Sequence, residues 1–195
     1  MGKVFDEIDA KLERWISEQQ LFFVATAPSG DDGHVNCSPK GPIESLRVLG
    51  PRRVGYLDLV GSGAETIAHL RENGRIVVML CAFQGPPRIV RLHGRGRYVL
   101  PGDPEFDDLN AAFDIRDAYT TGPAQRSVVV VDVERIADSC GYGVPVMDYV
   151  GPRPQYERWA ESKRRKGGDR ALDEYVAQYN ERSIDGLPAV DLEPA

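Results

Sequence analysis

Cysteine is scarce in this chain and poorly placed for any framework. Cys37, Cys81 and Cys140 are the three among 195 residues, with no C-x-x-C spacing, which excludes a disulfide scaffold and a zinc finger. Cys81 lies in an apolar run and reads as a small core residue. The three histidines, His34, His69 and His93, show no H-E-x-x-H or similar spacing, so no metal site is expected. No G-x-S-x-G elbow is present, which removes the usual hydrolase nucleophile. Positive charge is in deficit: 24 Lys and Arg stand against 30 Asp and Glu, a net charge of -6. A general nucleic-acid binder carries a basic surface instead. The dense basic run Lys163-Arg164-Arg165-Lys166 reads as a solvated helix end. No apolar run approaches the length of a membrane span. The opening MGKVFDEIDAKLERW is charged and amphipathic rather than a signal peptide. A reduced cytoplasmic compartment is therefore expected, with neither nucleic acid nor membrane as partner.

What is present is a strand-rich pattern. Val4, Ile8, Leu12, Trp15 and Ile16 recur at helical spacing and predict an amphipathic helix over residues 4–19. LFFVATA (21–27) reads as a buried strand, a Pro-Ser-Gly-Asp-Asp-Gly turn follows, and 34–38 returns as a hairpin that Pro39-Lys40-Gly41-Pro42 breaks. Further strands are expected over 53–60, 75–83, 89–100 and 127–136, with a short helix over 103–113. Gly94 and Gly96 inside the long 89–100 strand point to a bulge or a close backbone approach. Beyond Gly151-Pro152 the chain turns helical and charged, with apolar punctuation at Tyr156, Trp159, Leu172, Tyr175 and Tyr179. Tyr156 and Trp159 read as packing residues, and 183–187 as a terminal turn. Six strands with a central crossover predict a mainly β fold with flanking helices, a small closed or partly open barrel. The expected organisation is a barrel over 1–150 with a helical extension of the same domain over 151–195.

Two segments carry chemistry. Between the strands at 53–60 and 75–83 lies Gly61-x-Gly63-x-x-Thr66, opening a short helix. A strand, a glycine turn and a helix start can hold a phosphate. A dinucleotide fold fits poorly: Thr66 replaces the third glycine, the following strand ends in Ala82-Phe83-Gln84 with no ribose-binding carboxylate, and no second or third βαβ unit is present to build a doubly wound sheet. The turn is either a phosphate site or a plain capped helix, with Ser62 and Glu65 at capping-box spacing and Gly74 at the terminus. The second segment is Asn36-Cys37-Ser38-Pro39-Lys40-Gly41. Its proline and glycine turn the chain out of the sheet and present the Ser38 hydroxyl and Lys40 ammonium, either as a phosphate contact or as a surface lysine in a turn.

The ordered set of LFFVATA, VNCSPKG, VGYLDLVGSGAETIAHLRENGRIVVML and IVRLHGRGRYVL resembles the pyridoxamine 5′-phosphate oxidase-like family over roughly residues 4–140. SCGYGVPVMDYV and NERSIDGLP resemble a subgroup related to the oxidase. The resemblance implies a six-stranded FMN-binding split β-barrel that forms a homodimer, with FMN in a groove at the interface. Carried over, Ser38, Pro39, Lys40 and Gly41 lie along the flavin or its phosphate, Ser62 and Thr66 bind phosphate, and Arg91 faces the groove or the exterior. Glu65 and Thr66 stand where the true oxidase has an Arg-Lys pair, and GLPAVDLEPA lacks the oxidase's tail arginine. Pyridoxine 5′-phosphate oxidation is therefore not expected, and F420 stands as the alternative cofactor. The implied activity is FMN-dependent hydride transfer on a small-molecule substrate. A non-catalytic flavin carrier or sensor, or a cofactor-less interaction module, are the alternatives. Flavin chemistry asks little of side chains, so no catalytic residue is assigned. The loop carrying Cys140 and Tyr142 is a candidate substrate or interface element, or a simple strand exit with a packed tyrosine.

Overall fold

The structure, a computed structural model, describes residues 2–113, 124–168 and 170–191. The last four residues of the GLPAVDLEPA tail, and so the end of the expected extension, lie outside them. The chain opens with a two-residue strand β1 (Val4–Phe5) and a helix α1 (Ala10–Ser17). The helix expected from residue 4 thus begins six residues later. Asp9 causes this: its carboxylate accepts from the Leu12 N–H at 2.7 Å and caps the first turn. Leu12 and Ile16 are buried, each contributing about 1.5–3 kcal/mol by leaving water.

Strands β2 (Phe22–Thr26) and β3 (Asn36–Lys40) form the expected hairpin, with Phe22 opposite Lys40 and Thr26 opposite Asn36. The strand runs through Pro39 rather than breaking there. β3 is an edge strand, where a missing N–H costs no ladder bond. A 3-10 turn (Ile43–Ser45) leads to β4 (Leu46–Gly50), which pairs with β5 (Arg53–Leu59). Helix α2 (Glu65–Glu72) is followed by β6 (Arg75–Cys81), β7 (Ile89–Val99), a short α3 (Phe106–Asn110) and the long β8 (Gln125–Ser139). Gly74, at φ +69°, ends α2 as its position predicts. Helices α4 (Gln155–Gly167) and α5 (Ala171–Tyr179) follow.

Among the described residues eight strands make one antiparallel sheet in the order β3-β2-β6-β7-β8-β5-β4, with β1 paired to β8. Strands β3 and β4 do not pair, so the barrel is split rather than closed. The six expected strands are all present, and β1 and β4 are additional. The sheet curls around Phe22, Val24, Tyr56, Val78, Leu92 and Ile136, with α1 plugging one side. The register slips between His93 and Gly94, and a methyl on Gly94 would collide with the Asp132 carbonyl. This is the bulge and close approach that the glycine spacing predicts.

A second apolar cluster joins Val60, Ala64, Ile67 and Ala68 to Ala160, Val176, Ala189 and Val190. The C-terminal helices therefore pack on α2. Trp159 stacks edge-on against Tyr175 at 5.1 Å, a packing role as expected. Among the described residues no helix is long and apolar enough to cross a membrane.

Candidate functional site

Alternation along β3 sorts its side chains. Cys37 and Pro39 are exposed, whereas Asn36, Ser38 and Lys40 share the other face and are half-buried. The Ser38 hydroxyl donates to Asn36 Oδ1 at 2.8 Å. The Asn36 amide donates in turn to Thr66 Oγ1 at 3.0 Å and Thr26 Oγ1 at 3.1 Å. Thr26 Oγ1 also meets His69 Nδ1 at 2.8 Å. His69 is fully buried, and burial lowers its pKa below the usual histidine value despite the opposing influence of Asp185, Glu65 and Glu72. A neutral hydrogen-bonded chain thus ties the hairpin to α2, and both Ser38 and Thr66 are committed to it.

Lys40 belongs to a different, ionic group. Its Nζ lies 3.3 Å from Asp58 Oδ1, and Arg126 Nε lies 2.8 Å from Asp58 Oδ2. The Ser127 hydroxyl donates to Oδ2 at 3.3 Å. Burial alone would raise the Asp58 carboxyl, but Arg126 first and Lys40 second outweigh it and hold the group below the ordinary carboxylate value. Burial works equally against the charge on Arg126, and Asp58 more than offsets it, raising that pKa. Both members are therefore ionised. Arg126 Nη1 also donates to the Gly63 carbonyl at 2.9 Å, which couples this group to the glycine turn.

The turn itself is held by its carbonyls. Gly61 O accepts from Asn180 Nδ2 at 2.9 Å, and Gly63 O from Arg126. Ser62 is exposed and does not cap α2. The capping position falls on Ala64, with no side-chain bond. The expected capping box fails because the helix begins two residues late, and Glu65 instead faces the Ile184 N–H at 3.4 Å. The helix start is fixed from outside, by Asn180 and Arg126.

Pro39, Lys40 and Gly41 line a cleft of about 540 Å³ with Leu21, Leu57, Leu59 and Val60 from the barrel and Tyr149, Arg153 and Tyr156 from the tail. The cleft is mostly apolar, with Lys40 and Arg153 as its cations against the single carboxylate of Glu157. Such a shape suits a flat apolar body with an anionic end. Ser38, Thr66 and Ser62 stand near this corner without lining the cleft. Arg91 lies on the outer face of β7, donating to Ser139 Oγ at 3.1 Å. Cys140 and Tyr142 line a second cavity of about 880 Å³ with Trp15 and Arg88, and Gln20 lines both. Of the sequence-expected residues, Pro39, Lys40 and Gly41 thus line one cavity, Cys140 and Tyr142 another, and Ser38, Ser62, Thr66 and Arg91 neither.

Asp58 and Arg126 escaped the sequence reading. Asp58 did leave a signal, a lone carboxylate inside the apolar strand YLDLV. Arg126 left none, since it stands at the edge of an ordinary valine-rich strand. The part of the tail at 149–156 in the cleft was also missed, since Tyr149 showed only near the end of the string SCGYGVPVMDYV and Tyr156 only as a packing residue.

Comparison with known proteins matches this chain to a family. The sequence model of the pyridoxamine 5′-phosphate oxidase family matches residues 8–140, which run from α1 to the end of β8. A pyridoxamine 5′-phosphate oxidase family protein of Aspergillus flavus, ustO, is 39% identical over 199 residues, covering 95% of this chain and 77% of that one. Among solved structures, HupZ of Group A Streptococcus aligns with a TM-score of 0.48 and 18% identity, covering 72% of this chain and 99% of that one. A FAD-binding protein of Mesorhizobium loti aligns at 0.48 and 13%, covering 71% and 96%. Both structural likenesses are distant, and the first two matches carry the assignment. With the split antiparallel barrel and its ionic corner in place, the chain belongs to the pyridoxamine 5′-phosphate oxidase family.

Proposed function

We propose that this protein binds a flavin, FMN ahead of F420, in the cleft beside Lys40, and uses it as an oxidoreductase on a small organic molecule. The observation that carries the reading is the buried Asp58 with two cations on it. Lys40 and Arg126 bring two positive charges and Asp58 one negative, so these three side chains together keep a net positive charge. Their corner opens onto a mostly apolar cleft of about 540 Å³. The residues present therefore fit a phosphate-bearing flavin. Lys40 would hold the phosphate, and Leu57, Leu59, Tyr149 and Tyr156 would pack the ring.

Bound there, the flavin supplies the hydride transfer. The protein's own part is to bind, orient and exclude water. Thr66 is buried and bonded to Asn36, and Glu65 faces Ile184. The two positions that carry cations in the true oxidase thus add no positive charge here, Glu65 bringing a carboxylate instead, and the positive charge comes from Lys40 and Arg126. That difference argues against pyridoxine 5′-phosphate as the substrate. A homodimer and a soluble cytoplasmic setting belong to the same reading.

The test begins with the visible spectrum of the purified protein and a titration with FMN. Stoichiometric binding supports the reading, and a colourless protein that takes up neither FMN nor F420 ends it. Anaerobic reduction of the bound flavin by NADH or NADPH then separates an enzyme from a carrier.

A further inference from the structure

We infer that Asp58 and Arg126 are a buried positioning pair that holds Lys40 and the glycine turn together as one anion-receiving corner, with Lys40 the member handed over to an incoming phosphate.

Access separates the three roles. The Asp58 side chain is 0% exposed and that of Arg126 3%, whereas that of Lys40 is 24% exposed. A ligand arriving from the cleft can touch Lys40 and cannot touch the other two. Their effect on it must pass through what they hold.

The contacts of Asp58 are unequal in the way a hand-over requires. Lys40 sits on Oδ1 at 3.3 Å, a long contact. Oδ2 takes the short Arg126 bond at 2.8 Å and the Ser127 hydroxyl at 3.3 Å. When Lys40 turns to a phosphate, Asp58 keeps an ion pair and a hydrogen bond and is never left as an unpaired buried charge. Arg126 has no such freedom, because the same guanidinium also pins Gly63 O at 2.9 Å.

The backbone is shaped for this. Along the β5–β8 ladder Asp58 pairs with Ser127 and Leu59 with Gln125, so Arg126 is the extra residue of a bulge. A regular ladder would place Arg126 opposite Leu59 and aim it to the other side of the sheet. The bulge re-aims it onto Asp58 and the turn, a use of bulges common beside functional sites.

The inference rests on the cleft reading above for the identity of the ligand, so the experiment includes an arm without flavin. Thermal stability of wild type, Lys40→Ala and Arg126→Lys is measured with and without inorganic phosphate. FMN and riboflavin, which lacks the phosphate, are titrated in parallel. Lys40→Ala is expected to melt close to wild type, because Asp58 retains Arg126, and to lose the phosphate stabilisation. Its FMN affinity is expected to fall at least tenfold with riboflavin affinity unchanged. Arg126→Lys keeps the charge but loses the fork that bridges Asp58 and Gly63. It is expected to show the same selective loss of phosphate and FMN. Equal losses for FMN and riboflavin in Arg126→Lys would reduce Arg126 to a structural role and overturn the positioning claim. A Lys40→Ala protein that fails to fold, or that binds FMN as wild type does, would overturn the hand-over. The second variant keeps the test decisive should Arg126→Lys not fold. If wild type binds neither flavin yet gains phosphate stabilisation that both variants lose, the corner stands and the flavin reading falls.

Discussion

Replacing Arg126 with methionine tests the corner through stability alone. The substitution keeps much of the side-chain volume and removes the guanidinium. Asp58, fully buried, would then hold only Lys40 at 3.3 Å and the Ser127 hydroxyl, and Gly63 O would lose its donor. Breaking a buried ion pair from one side costs about 3–5 kcal/mol, because the partner charge stays in the interior. For a chain of this size each kcal/mol shifts Tm by about 2–4 °C, so a loss of roughly 6–20 °C is expected. Replacing Asp58 with leucine in the same protein removes the stranded charge and should restore most of that loss. Lys40→Ala, by contrast, leaves Asp58 its shorter ion pair and should cost about 1 kcal/mol or less. The assay is urea or thermal unfolding of the four proteins followed by circular dichroism. An Arg126→Met loss below about 1 kcal/mol, or no recovery in the double variant, would refute the claim that Arg126 neutralises Asp58 in the folded state.

Two further outcomes follow from the fold. Gly94→Ala forces a methyl against the Asp132 carbonyl at the β7–β8 bulge, and should cost about 1–3 kcal/mol by unfolding titration. Gly30→Ala, which meets nothing within 4 Å, should be neutral. His69 and His93 are both held below the usual histidine pKa, chiefly by burial. Below about pH 6.5 the unfolded chain takes up protons that the native state refuses, so stability falls as the pH drops through that value. Asp58 is depressed in the opposite charge sense, and its contribution persists until the pH falls below the ordinary carboxylate range. Denaturation midpoints that do not change between about pH 7.5 and 5.5 would contradict this, and His69→Gln should flatten the slope.

Local signals placed most strands correctly because the majority are runs of β-branched and aromatic residues bounded by glycine or proline. They misplaced α1 because Val4 and Ile8 satisfy a helical period by chance, while Asp9 decides where the first turn begins. They missed β4 because LRVLG is too short to show alternation, and it becomes a strand only by pairing with β5. The hairpin lysine was legible because proline and glycine flank it. Its partners were not, since Asp58 and Arg126 lie 18 and 86 residues further along the chain and meet it only through the barrel and a bulge. A bulge is a property of two strands in register, and no single strand announces it. The capping box at Ser62 and Glu65 matched by spacing and still failed, because tertiary contacts from Asn180 and Arg126 fix the helix start instead.

The most direct test of the account is equilibrium binding of FMN to the wild-type protein and to Lys40→Ala, read from the shift of the flavin absorption and fluorescence. The account predicts saturable binding by wild type and a loss of about 1.5–3 kcal/mol, roughly 10- to 150-fold, in the variant. Failure of wild type to bind FMN or F420, or equal affinity in the two proteins, would contradict it.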